Sequence, residues 1–249
     1  MSGATEVLVV TGGSRGIGAA IVRHAARQGY AVCFSYLRES KAAGALVEEV
    51  AARGGRARCF QGDVADPGFA EAAFEEAAAA FGPVTALVNN AGVTGPIGRF
   101  SDVSRETLRH TLDTNLLGTM LLAREAVRRW ETAGLRGRIV NISSVAATLG
   151  APGEYVHYAA TKAAVEALTI GLGKEVAASG IRVNAVAPGT AWTDIHAAAG
   201  EPDRPARVVA RVPMGRIGEP DEMAAAVLWL LSKEASYVTG TVLRVSGGV

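Results

Sequence analysis

The short apolar run Val7-Leu8-Val9-Val10 passes directly into Thr11-Gly12-Gly13-Ser14-Arg15-Gly16-Ile17-Gly18. This junction constrains the fold more than any other stretch. The brief β-branched run Glu6 to Val10, followed by glycines, reads as a buried strand. The amphipathic segment Ala19 to Gln28, closed by Gly29, reads as a helix. Strand, glycine turn and helix make the first half of a βαβ unit, and such units build parallel sheets covered on both faces. Glycines at 12, 16 and 18 permit a tight turn and let the backbone approach a ligand. Free N–H groups at the helix start favour a pyrophosphate, although an ordinary βα turn has the same outline. The spacing is Gly-x-x-x-Gly-x-Gly, unlike the Gly-x-Gly-x-x-Gly of the standard dinucleotide fingerprint.

The same alternation continues along the chain. Strands are expected at Ala31 to Tyr36, Arg56 to Gln61, Thr85 to Val88, Arg138 to Asn141, Ile181 to Ala187 and Thr241 to Val245. Helices are expected at Ser40 to Arg53, from Asp66-Pro67 to Phe81, from Ser104 to Trp130, around Tyr158 as far as Gly180, and at Asp221 to Ser232. With no linker and no internal repeat, this is one α/β domain over residues 1–249. The stretch Asp194 to Gly218, with Pro202, Pro205 and Pro213, has little periodicity and reads as a mobile substrate loop within about 190–218.

Bulk properties remove several function classes. A hydrophobic content of 49% supports a large core, and a net charge of +1 with scattered basic residues gives no footprint for nucleic acid. Arg124, Arg128 and Arg129 form a basic stretch, read as solvated surface. The longest late apolar stretch, Ala224 to Leu231, is too short to span a bilayer, and Met1 to Glu6 lacks the pattern of an export signal. A cytoplasmic location is expected. Cys33 and Cys59 lie in separate β-like runs without clustered histidines, so neither a disulfide framework nor a metal site is expected.

Cofactor choice is read at the end of the second strand. Sites that prefer NAD usually offer an acid there for the ribose 2′-OH. Ser35-Tyr36-Leu37-Arg38 offers none, and Arg15 in the glycine loop aims at the same region. Two guanidinium groups suit a 2′-phosphate, which argues for NADP(H) over NAD(H). Arg38 also fits the solvated start of a helix, with Glu39 beside it. Asp63, in Gly62-Asp63-Val64, can meet adenine or cap a turn, and Asn89-Asn90-Ala91-Gly92 closes another strand at the edge where open α/β sheets bind ligands.

Tyr158-Ala159-Ala160-Thr161-Lys162 supplies the chemistry. Residues four apart share a helix face, and a cation beside a phenol favours the phenolate, lowering a pKa that is about 10 when free. Such a tyrosine can exchange protons with a substrate near neutral pH. Alone, the pair also fits two unrelated residues on a solvated helix. Ser144, fourteen residues earlier, can donate to a substrate oxygen or cap a turn, and Asn115 reads by itself as a tolerated polar residue in a helix. His157, beside Tyr158, reads as structural, and His24 and His110 as helix-surface residues. His196 and Trp192 fall in the substrate loop.

Together, Thr11-Gly12-x-x-x-Gly16-x-Gly18, Asp63, Asn89-Asn90-Ala91-Gly92, Asn115, Ser144, Tyr158-x-x-x-Lys162, Asn184-x-x-x-Pro188-Gly189 and Thr193 resemble the short-chain dehydrogenase/reductase family over essentially the whole chain. The resemblance implies a doubly wound, seven-stranded parallel Rossmann sheet flanked by helices, a tetrad of Asn115, Ser144, Tyr158 and Lys162, and hydride transfer between nicotinamide and a carbonyl or secondary alcohol. The substrate classes are a small ketone, a sugar or a 3-oxoacyl thioester. Cofactor contacts are implied for Gly12, Ser14, Arg15, Gly16, Ile17, Gly18, Ser35, Tyr36, Arg38, Asp63, Val64, Asn90, Ala91 and Gly92, for Tyr158 and Lys162, and for Pro188, Gly189, Thr190 and Thr193. In family terms Asn115 interrupts its helix and holds a water that links Lys162 to solvent. A homotetramer is implied too, with Ala159, Ala163 and Ala167 allowing close helix packing. The interval from Ser144 to Tyr158 is one residue longer than the commonest family spacing, which bears on the pocket around Ala151 to Tyr155. A cofactor-binding regulator or scaffold that has lost turnover is the alternative, opposed by the intact tetrad.

Overall fold

A computed structural model of the chain describes residues 6–249. The reading of the N-terminus falls mainly on residues 1–5, which lie outside the described residues. The strands are β1 (Val7–Val10), β2 (Ala31–Tyr36), β3 (Arg56–Gln61), β4 (Ala86–Asn89), β5 (Arg138–Ile142), β6 (Arg182–Pro188) and β7 (Val242–Val245). They form one parallel sheet in the order β3-β2-β1-β4-β5-β6-β7. The order reverses between β1 and β4, so the chain leaves those two strands in opposite directions and opens a crevice at their carboxyl ends.

Side-chain alternation along β1 explains why both faces are covered. Leu8 and Val10 enter one core with Ile21, Phe34, Leu46 and Leu228, while Val7 and Val9 enter the other with Phe74, Leu122, Trp130 and Ile139. The first layer is built by α1 (Gly16–Arg27), α2 (Ser40–Ala52) and, from the end of the chain, the last helix. The second is built by α3 (Phe69–Phe81), α4 (Arg105–Leu112), α5 (Gly118–Ala133) and, after the short α6 (Ala146–Leu149), the long α7 (Val156–Glu175). Trp130 is buried and donates from its indole nitrogen to the Val84 carbonyl at 2.7 Å, which fixes α5 against the approach to β4.

Several boundaries differ from the sequence reading for local reasons. The third helix begins at Phe69 rather than Asp66, because Asp63 Oδ1 accepts from Ala65 N at 2.9 Å and Phe69 N donates to the Asp66 carbonyl at 3.0 Å, closing a turn. The helix expected from Ser104 to Trp130 starts with Ser104 accepting from Thr107 N, then loosens into a π turn at Asp113–Leu117 between α4 and α5. Residues 194–218 contain α8 (Ile195–Ala198) and α9 (Arg204–Val208), and Val208, Val212 and Ile217 form a small cluster with Val249. The last helix is α10 (Pro220–Leu231), opened by a capping box between Glu219 and Glu222. Cys33 is buried and Cys59 half-buried, both as free thiols, and burial pushes Cys33 up to about 12, so it is inert. Among the described residues, no helix is long and apolar enough to cross a membrane.

Candidate active site

The crevice between β1 and β4 is closed by a compact set of hydrogen bonds. Thr11 Oγ1 accepts from the backbone N–H groups of Asn90 and Ala91, both at 3.0 Å. Asn90 Nδ2 donates to the carbonyls of Thr11 and Gly12, both at 2.9 Å. Gly12 and Gly16 have φ of 63° and 53°, the left-handed region that favours glycine. Gly18 is needed for a different reason: a Cβ there would lie 2.2 Å from the Gly12 carbonyl oxygen and 2.6 Å from Asn90 Nδ2. The first turn of α1 carries no acidic residue, and Arg15 at its N-cap makes no capping bond. The N–H groups of that turn therefore face the crevice uncapped, a site that fits a pyrophosphate.

Tyr158 and Lys162 lie on the buried face of α7, beside this crevice. A Cβ at Gly92 would lie 3.3 Å from Asn115 Oδ1 and 3.5 Å from Lys162 Nζ, so the β4 loop, the π turn and α7 meet at one point. Asn115 is fully buried. Its Oδ1 accepts from Val93 N at 2.8 Å, and its Nδ2 donates to the Val93 carbonyl at 2.8 Å and to Thr161 Oγ1 at 3.1 Å. The π turn thus aims one amide side chain across to the next loop, a use to which such turns are often put. Lys162 Nζ donates to the Ile142 carbonyl at 2.7 Å and sits 5.6 Å from the centre of the Tyr158 ring. Burial draws its pKa down to about 8. Burial raises the Tyr158 phenol, and a hydrogen bond with the Ser144 hydroxyl, followed by the charge of Arg204, pulls it part of the way back.

The chain is similar to known proteins over almost its whole length. The model of a family described as enoyl-(acyl carrier protein) reductase matches residues 12–249. An uncharacterised oxidoreductase of Escherichia coli is 45% identical, over 97% of this chain and 99% of its own length. An L-rhamnose 1-dehydrogenase (NAD(P)(+)) of Azotobacter vinelandii is 41% identical, over 98% of this chain and 96% of its own. The chain belongs to the short-chain dehydrogenase/reductase family. Among solved structures of that kind, a blue fluorescent protein from a metagenomic library, in complex with NADPH, superposes with a TM-score of 0.88 at 38% identity, covering 98% of this chain and 97% of the other.

Within this short-chain dehydrogenase/reductase, the other expected residues fall around the same edge. Arg15 and Arg38 are exposed and Tyr36 is half-buried. Ser35 is buried and turned inward, its hydroxyl accepting from Gly12 N at 3.2 Å, so it supports the glycine loop. Asp63 has one oxygen in its turn bond to Ala65, and Val64 is buried behind it. The Pro188 carbonyl accepts from Val145 N at 3.0 Å, tying β6 to the segment that carries Ser144. Thr190 and Gly218 pair through Gly218 N and the Thr190 carbonyl at 3.1 Å, and a Cβ at Gly16 would lie 3.3 Å from the Thr193 methyl. Ser14 in the glycine loop and Ile17 in the first turn of α1 are half-buried.

Other expectations are revised. Besides Lys162, whose Nζ bonds to the Ile142 carbonyl beside the Tyr158 ring, Ser144 and Arg204 pull the Tyr158 phenol down. Ala159 is buried within the subunit against Tyr155 and Tyr158, leaving Ala163 and Ala167 on the exposed face. Arg128 and Arg129 pair with the buried Glu125 on their own helix. His24 meets Asp221 at 3.1 Å, and buried His157 holds the Thr94 carbonyl through Nε2 at 2.8 Å. His196 is buried on the Ala191 carbonyl, while Trp192 is half exposed. Sequence reasoning passed over Arg204 and the supporting hydroxyls of Thr11 and Thr161; only Thr11, placed just ahead of the glycines, carried a local signal.

The depressed Lys162 pKa makes a sign-specific prediction. Folding disfavours the charged amine, so the destabilisation is full below about 8 and fades as pH rises toward the ordinary 10.5. A fall from 10.5 to about 8 corresponds to about 3 kcal/mol at its upper limit. Lys162→Met should therefore melt at higher temperature than the parent at pH 7, with the gap narrowing steadily between pH 8 and 10.5 in calorimetry.

Proposed function

We propose that the chain is an NADP(H)-dependent oxidoreductase that interconverts a carbonyl and a secondary alcohol, with Asn115, Ser144, Tyr158 and Lys162 as its catalytic groups. The observation that carries this reading is the meeting of a buried phenol, a hydroxyl bonded to it and a buried amine beside the uncapped start of α1. A bound nicotinamide supplies or accepts the hydride. Tyr158 gives its proton to the carbonyl oxygen in reduction and takes it back from the alcohol in oxidation. Ser144 donates to the same oxygen and stabilises the negative charge that develops there. Lys162 holds the ribose nearest the nicotinamide, and Asn115 orders a water that passes protons between Lys162 and solvent.

Gly12 to Gly18 and Asn90 to Gly92 cradle the phosphates and the adjoining ribose, Asp63 and Val64 flank the adenine, and Pro188 to Thr193 hold the carboxamide. The preference for NADP(H) is supported by Arg15 in the glycine loop and Arg38 just after β2, both exposed, by the lack of an acid in Ser35-Tyr36-Leu37-Arg38, and by the NADPH complex of the similar fluorescent protein. The substrate class is a small ketone, a sugar or a 3-oxoacyl thioester, and the rhamnose dehydrogenase relative favours the sugar. Two free thiols suit a reducing compartment such as the cytoplasm.

Fluorescence titration with NADPH and with NADH, followed by turnover on L-rhamnose, simple ketones and a 3-oxoacyl thioester, tests the reading. NADPH should bind more tightly, and Arg15→Ala with Arg38→Ala should weaken NADPH while sparing NADH. Tyr158→Phe should lower turnover by about a hundredfold or more and keep cofactor binding. Unchanged turnover in Tyr158→Phe would overturn the proposal.

The same protein is proposed to be a homotetramer. Leu112 and Met120, flanking the π turn, and Ile170 on α7 are 47%, 43% and 40% exposed, large apolar groups that a partner subunit would cover. Light scattering should give four times the chain mass, and a monomeric mass at micromolar concentration would contradict it.

A further inference from the structure

The segment between Ser144 and Tyr158 carries an ion pair that the chemistry above does not use. Glu154 precedes α7 in a turn where Gly150, Ala151 and Gly153 all have positive φ, 74°, 46° and 73°. An alanine in the left-handed region indicates a backbone held by its surroundings. What holds it lies across the pocket. Gly98 N donates to the Glu154 carbonyl at 2.9 Å, and Arg204, the first residue of α9, reaches the Glu154 carboxylate through Nε at 3.1 Å and Nη2 at 2.6 Å. Arg207, one turn on, reaches the other carboxylate oxygen at 3.1 Å and also meets Glu201 at 2.6 Å.

The inner pair is shielded from solvent, with side chains 11% exposed for Arg204 and 16% for Glu154. Its buried position ties the substrate loop to the turn that leads into the Tyr158 helix. It also places a charge against an aromatic stack. The Arg204 guanidinium carbon lies 5.2 Å from the centre of the Tyr155 ring, and Tyr155 meets Tyr158 edge to face at 5.3 Å and 85°.

We propose that Arg204, fixed by Glu154, is a positioning residue for proton transfer: through the closed substrate loop it holds a permanent positive charge beside the Tyr155–Tyr158 stack and so favours the Tyr158 phenolate. This rests on Tyr158 being the proton-transfer group. The charged and titratable groups around it are Lys162 and His157 on α7, Ser144 after β5, Glu154 and Tyr155 in the turn, His196 on α8, and Arg204 on α9. Lys162 faces the Ile142 carbonyl and is drawn down to about 8 by burial, so its charge fades over the pH range in which a phenolate forms. Burial likewise holds His196 toward its neutral form. A guanidinium keeps its charge throughout. Burial alone would raise the Glu154 carboxyl, yet Arg204 and Arg207 hold it below the usual carboxylate range, so the tie persists at every pH of interest. Opening the loop would remove the cation from Tyr158, which couples proton transfer to closure.

The test reads Tyr158 directly, by ultraviolet titration of tyrosinate in the cofactor-free protein, each variant being subtracted against the same variant carrying Tyr158→Phe. No turnover is needed, so a failed oxidoreductase reading and a failed Arg204 reading are told apart. Arg204→Met should move Tyr158 ionisation to higher pH by about half to one unit, a three- to tenfold lower phenolate fraction at a given pH. Arg204→Lys should recover most of that shift. Where Arg204→Met does not fold, Glu154→Gln, which leaves Arg204 without its counter-charge, should move the ionisation to lower pH. The double variant Glu154→Arg with Arg204→Glu should recover the melting temperature and still ionise at higher pH than the parent. Ionisation at the parental pH in both Arg204→Met and the double variant would overturn the proposal and leave the pair a structural tie.

Discussion

The site depends on one clamp across the middle of the sheet. Four hydrogen bonds join Thr11 and Gly12 to Asn90 and Ala91 between the ends of β1 and β4, at the point where the strand order reverses. Those bonds satisfy backbone groups that a glycine turn leaves free, and they draw the turn so close to the next loop that only hydrogen fits at Gly18. The start of α1 is thereby fixed relative to β4, and through Gly92 relative to Asn115 and Lys162. The proposed phosphate cradle and the proposed proton-transfer group on α7 are thereby held in register.

Charge is managed around this frame at a cost in stability. An amine and a phenol are both taken out of water on α7, and each is shifted away from its charged form. The groups that oppose the shift come from different parts of the chain: Ser144 from the end of β5 and Arg204 from the substrate loop. Folding alone thus makes a poor phenolate, and the loop supplies part of the correction. A buried polar set of this sort is ordinary at functional sites, where stability is exchanged for reactivity.

Much of this was legible in the sequence where the signal was local. The β-branched run before Gly12, the helical spacing of Tyr158 and Lys162 and the small polar cluster after β4 each depend on neighbours within a few residues, and each fell where it was expected. Boundaries slipped where side chains competed with the backbone, as when the Asp63 turn delayed α3 to Phe69. The break in the helix at Asn115 was expected from the family resemblance alone, because nothing in Asp113-Thr114-Asn115 itself distinguishes a loosened turn from a regular one until Val93 is brought opposite. Long-range electrostatics were least legible. The spacing put Lys162 on the face it shares with Tyr158, but not the bond from its amine to the Ile142 carbonyl on β5. Arg204 lies fifty residues from Glu154 in a segment without periodicity, so only folding brings it to Tyr155.

The most direct test of the account is amide hydrogen exchange, resolved by peptide, with and without saturating NADPH. Binding at the clamp should slow exchange in residues 12–18, 90–93 and 188–193, with a further effect in 194–218 as the loop settles, and should leave the far ends of β2 and β7 unchanged. Protection confined to other surfaces, or none at saturating cofactor, would contradict the claim that the crevice between β1 and β4 is the cofactor site.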